Sequence, residues 1–172
     1  MAYEYISAEI KKITKKYMTR DPFKLLRKSG AIIKYSDKYN NLKGYYFHSK
    51  RSDFVVLNAK MPREEKRIVA AHEFGHFSLH KEMAKNGPIR DSAMFVVKSK
   101  HEYEANIFSA ELLLSDDDVA DARENTGGDF FNMSHSLSVM PELLLFKLHS
   151  MNGRGYNFNL PLSLDSTFLK NY

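Results

Sequence analysis

The sequence predicts an α+β fold, a small antiparallel three-stranded sheet followed by a helical core that carries the chemistry. Two observations point there. Short β-branched and aromatic runs bounded by turn residues cluster between Ala31 and Asn58, and apolar residues recur at helical spacing before and after that region. The chain of 172 residues suits one domain: N-terminal helices over 1–30, the sheet over 31–60, the helical core over 61–151 and an irregular tail over 152–172.

The first helix is expected from about Glu4 to Met18. Ile6, Ile10, Ile13 and Tyr17 share one face, and Lys11, Lys12, Lys15 and Lys16 make the solvated one. DPFKLLRKSG reads as a complete short helix, with Asp21 as N-cap, Pro22 at the first helical position and Gly30 just past the end. AIIKY, YYFHS and DFVVLN are the three strands, and KYNNLKG is turn-like. A long helix should run from Pro62 to about His80. GPIRDS reads as a loop, a further helix spans about His101 to Leu114, and shorter helices surround DDDVADARE, GDFFNMSH and MPELLLFKLHSM.

Composition narrows the function classes. No apolar run approaches the roughly 18 residues of a membrane span, and MAYEYISAEIKK lacks the apolar core of a signal peptide, so a cytoplasmic protein that does not enter membranes is expected. With no cysteine, a bound metal must be held by His, Asp or Glu. The net charge of +5 is compatible with nucleic acid, but no helix-turn-helix pattern is present, and direct sequence-specific binding is not expected.

The chemistry concentrates in AHEFGHFSLH, Ala71 to His80. His72 and His76 are one helical turn apart on the same face, so both imidazoles can reach one ion. Glu73 lies about 100° round the helix from His72, beside the ion rather than on it, where a general base is wanted. Gly75 weakens a helix by about 1 kcal/mol relative to Ala, which suggests close approach by another element. His80 stands about 12 Å along the axis from His72, too far for both to bind one tetrahedral ion, and reads as a core histidine or one supporting the site rather than as a ligand. The longer pattern H-E-x-x-H-x-x-G-x-x-H is absent, because Leu79 and Glu82 occupy its last two fixed positions.

A third protein donor is needed, since a catalytic zinc normally has three and an open position. HEYEANIFSAELLL is the best source: Glu102, Ala105, Asn106 and Ser109 share a face, and small residues beside Glu102 allow close packing. Glu104 points about 200° away from Glu102, so at most one of them can bind. Glu104, His101, His135, His149 and the run Asp116 to Asp118 remain alternatives, although that run reads more simply as a helix start.

AHEFGHFSLH followed by E-Y-E-A-N-I-F-S-A-E-L-L-L resembles the ImmA/IrrE family of metallopeptidases, a gluzincin-like group marked by H-E-x-G-H-x-x-L-H and then E-x-x-A-N-x-F-A-x-x-L-L. The resemblance extends back through FVVLNAKMPREEKRIV and forward through LSVMPELLLFKL, about 110 residues in all. Ser109 replaces the usual Ala, and Ser115 stands where a Pro often closes the L-L-L segment. The resemblance implies zinc ligation by His72, His76 and Glu102, with Glu73 as general base. One Zn2+ per chain is expected, with Mn2+ as the alternative ion. It also implies a protein substrate, a helix-turn-helix repressor cleaved to release a stress or mobile-element programme. The competing function is a zinc-bearing module that sequesters a repressor or antitoxin-type partner without cutting it, which the intact Glu73 disfavours. The residue stabilising the tetrahedral oxyanion is not evident from sequence.

Overall fold

The computed structural model describes residues 2–91, 95, 97 and 99–161. Helix α1 (Ala2–Tyr17) buries Ile6, Ile10 and Ile13 and leaves Lys11, Lys12, Lys15 and Lys16 in solvent. Helix α2 (Pro22–Lys28) begins where Asp21 accepts a hydrogen bond from the Lys24 amide, and the backbone leaves it at Gly30 with φ +90°. Both ends follow from residue chemistry: an acceptor for the free N–H groups at the start, and a left-handed conformation that glycine adopts without cost at the end.

The sheet differs from the expected one. It has four strands, β1 (Ile32–Ser36), β2 (Gly44–Ser49), β3 (Ser52–Asn58) and β4 (Ile89–Asp91), in the order β1-β3-β2-β4. Strands β2 and β3 form an antiparallel hairpin through Lys50 and Arg51, both at positive φ, as a tight two-residue connection requires. Strand β1 pairs in parallel with β3 rather than with its sequence neighbour β2, so the sheet is mixed, not purely antiparallel. The buried Asn58 side chain holds the intervening loop by donating to the carbonyls of Tyr39 and Leu42, 3.0 Å each. GPIRDS is not all loop, because Ile89–Asp91 pairs antiparallel with Gly44–Tyr46 as the other edge strand. Three residues without alternating polarity carry too little pattern to be seen in sequence.

Tyr46, Val55 and Leu57 are buried in the core, where β2 and β3 pack on α3 (Arg63–Leu79). Helix α3 packs in turn on α5 (Lys100–Leu113), with the short α4 (Lys81–Ala84) between them in sequence. Ser115 caps α6 (Asp116–Thr126) in a reciprocal capping box with Asp118. The acidic run is therefore a helix start, and Ser115 ends the preceding segment by opening the next. Helices α7 (Phe130–Ser136) and α8 (Pro141–Gly153) complete the core, where α8 and α1 cover α5. Residues 154–161 are irregular, and 162–172 of the expected tail lie outside the described residues. No described helix is long and apolar enough to cross a membrane.

Candidate metal centre

Helices α3 and α5 run antiparallel, and their contact is made possible by Gly75. A Cβ there would stand 3.1 Å from both the Ala105 Cα and the Phe108 Cβ. At this spacing the imidazoles of α3 and the first turn of α5 meet. His72 Nε2 and His76 Nε2 are 3.0 Å apart, and the Glu102 carboxylate lies 3.2 Å from the first and 3.4 Å from the second. Among the described residues, these three form the group whose donor atoms all fall within 4.8 Å of one another. His72 and His76 are buried, and the Glu102 side chain keeps 15% exposure.

The outward ring nitrogens are also engaged. His72 Nδ1 lies 3.0 Å from the Asn106 side-chain oxygen, an acceptor, so that nitrogen carries the proton and Nε2 presents a lone pair. His76 Nδ1 is 2.9 Å from His80 Nδ1, and His80 Nε2 is 3.0 Å from Glu104 Oε2. Burial pushes the His80 imidazole below its ordinary pKa despite the hydrogen bond to Glu104. Burial likewise pushes His76 down to about 4, against the opposing pull of Glu102. Both shifts favour the neutral imidazole. Asn106 Oδ1 and the Glu104 carboxylate can only accept, so the ring protons lie on the far side of each imidazole and the Nε2 atoms face Glu102 without one. Two lone pairs and an anion thus converge in a buried space, and a divalent cation fits that donor set.

Glu73 is fully buried, on the side of α3 toward the sheet. A Cβ on Gly44, the first residue of β2, would fall 2.6 Å from Val69 Cγ1 and 3.0 Å from Glu73 Oε1. The absence of a side chain at Gly44 therefore lets the strand press onto the helix at this glutamate.

The other sequence candidates lie elsewhere. Glu104 is outside the donor group and reaches His80. His101 contacts the His80 ring edge-on at 4.9 Å. His149 Nδ1 is 2.8 Å from the Tyr103 hydroxyl, which is 2.7 Å from that of Tyr3, linking α8, α5 and α1. His135 sits on α7, and Asp116 pairs with Lys147 and Arg154. Sequence reasoning assigned no role to Asn106 or Gly44. Asn106 stands four residues after Glu102 on the same helical face, a spacing that could have revealed it; Gly44 carries no such signal.

Together the fold and this donor set define an α+β domain with a candidate metal site where two antiparallel helices meet beside a small sheet. The chain belongs to the ImmA/IrrE family of metallopeptidases: residues 31–149 match the family described as the IrrE N-terminal-like domain. It is 32% identical over 114 residues to Uncharacterized immunity region protein 2 of Bacillus phage phi105, which covers 66% of this chain and 71% of the phage protein. It is 33% identical over 73 residues to Metallopeptidase ImmA of Bacillus subtilis (strain 168), 42% of each chain.

Proposed function

We propose that the protein is a zinc-dependent endopeptidase that cleaves a helix-turn-helix transcriptional repressor and so releases a stress or mobile-element programme. The observation that carries the reading is the buried convergence of His72 Nε2, His76 Nε2 and the Glu102 carboxylate within 4.8 Å. His72, His76 and Glu102 would hold the ion. A zinc ion bound there supplies Lewis acidity toward a peptide carbonyl and lowers the pKa of water toward about 7.

The remaining chemistry falls to the chain. Glu73, one position from His72 and turned about 100° from it, accepts a proton as water adds to the carbonyl carbon. It passes that proton to the amide nitrogen as the C–N bond breaks, and the carboxylate is regenerated. Its burial keeps bulk water from competing for the proton. The protein substrate is supported by the peptidase name of the Bacillus subtilis relative, and the repressor by the immunity-region name of the phage relative. A separate repressor suits a chain without a DNA-binding motif of its own, and an acidic one would suit its net charge of +5.

The experiment is incubation of the zinc-loaded protein with the repressor encoded beside its gene, following cleavage and release of the target genes, with chelator-treated protein alongside. Cleavage that disappears on zinc removal is expected. Binding and gene release with no cleavage would replace the enzyme with the sequestering module.

A further inference from the structure

We propose that Glu104 and His80 are positioning residues that hold His76 in the one tautomer able to bind a metal. This inference rests on the metal site proposed above.

The geometry leaves little freedom. Glu104 Oε2 lies 3.0 Å from His80 Nε2, and a carboxylate accepts only, so His80 Nε2 carries the hydrogen. A neutral imidazole has one N–H, so His80 Nδ1 is left as an acceptor. Its partner at 2.9 Å is His76 Nδ1, which must then donate. The proton of His76 is thereby held on the side away from His72 and Glu102, and His76 Nε2 keeps its lone pair directed at them. Without the Glu104 acceptor, His80 is free to carry its hydrogen on Nδ1. It would then donate to His76 Nδ1 and drive the His76 proton onto Nε2, the position a metal needs empty.

His72 reaches the same state through a single amide, Asn106. His76 reaches it through two residues, and both lie beyond the three-donor group. His80 is buried, and Glu104 is anchored at the edge of the site with 19% side-chain exposure and a further contact to Lys100 Nζ at 3.7 Å. A glutamate in that position can be changed without opening the core, whereas its effect is exerted at an ion it never touches. His101, edge-on to the His80 ring at 4.9 Å, restricts how that ring can turn.

The test is zinc affinity, measured by competition with a chromophoric chelator on full-length protein. Glu104→Ala should weaken zinc by about 10- to 100-fold, the usual cost of losing the partner that orients a ligating histidine, and Glu104→Gln should stay within about threefold, because its amide oxygen still accepts from Nε2–H. The visible spectrum of the cobalt-substituted protein should change for Glu104→Ala and not for Glu104→Gln. Lys100→Ala, which removes only the exposed contact to Glu104, should behave as the unsubstituted protein. His80→Phe, which fills the same space and cannot accept, should match Glu104→Ala; if it does not fold, the Glu104 pair still decides. Wild-type affinity and spectrum in Glu104→Ala, while His72→Ala and Glu102→Gln lose zinc, would overturn the relay and leave the metal site standing. Wild-type affinity in His72→Ala and Glu102→Gln as well would remove both.

Discussion

Gly75 of α3 and Ala105 of α5 meet nearly backbone to backbone: a methyl group at Gly75 would stand 3.1 Å from the Ala105 Cα. This contact sets the separation of the two helices, and the proposed ligands stand on both of them. Gly75→Ala would gain about 1 kcal/mol of helix propensity, but the methyl meets backbone that cannot turn aside, an overpacking cost of about 1–3 kcal/mol. The substituted protein should be less stable to urea and bind zinc more weakly, since Glu102 is carried away from His72 and His76. Unchanged affinity at unchanged or higher stability would show that the spacing is not set here.

The ligand assignment makes a separate claim. His72→Ala should abolish tight zinc binding, and Glu102→Gln should weaken it strongly, because the amide offers a neutral donor where the two neutral imidazoles need an anion. Metal analysis of proteins purified without chelator, followed by zinc titration, checks both. A Glu102→Gln protein that retains one tightly bound zinc would move the third donor elsewhere.

Glu73→Gln separates catalysis from binding. The amide is isosteric and the proposed ligands are untouched, so the fold and one zinc per chain should be retained. It cannot accept a proton, and repressor cleavage should fall by about 10²- to 10⁴-fold. The measurement is the cleavage rate, with metal content taken on the same preparation. Target-gene release at the normal level without cleavage would make sequestration the function.

A buried charge cluster away from the site should govern acid stability. Lys147, fully buried, lies 2.7 Å from Glu111 and 2.6 Å from Asp116, and Arg154 bridges the same two acids at 2.9 and 2.7 Å. Removing one partner strands a buried charge, so Lys147→Ala should cost about 3–5 kcal/mol in urea unfolding. The hydrogen bond from Arg154, with that from Lys147, outweighs burial and holds the Asp116 carboxyl well below its ordinary value of 3.8. A depressed folded-state pKa contributes stability that is complete above the unfolded value and is lost as pH falls from 3.8 toward the folded one. Asp116→Asn should therefore be less stable near neutrality yet lose less on acidification below about pH 4. Parallel pH dependences for the two proteins would exclude Asp116 as the source.

Much of this molecule is legible residue by residue, because helix signals are local. The cap at Asp21, the proline at Pro22, the glycine at Gly30 and the spacing of His72, Glu73 and His76 each act within one or two turns, and the elements that follow from them stand in the structure. Gly75 also announced a close neighbour, since a helix keeps such a residue at a cost. Strand pairing is different. A strand's hydrogen bonds are made by backbone common to all residues, so nothing in AIIKY states that its partner is β3 in parallel rather than β2. That choice belongs to the loop pinned by Asn58 and to the helices beneath the sheet. The same division runs through the site. Helix phase turns Glu104 away from Glu102 and so away from the donor group. Only the antiparallel docking of α5 on α3 brings it within 3.0 Å of His80 and into line with His76, a relation between residues 28 positions apart that periodicity along one helix does not contain.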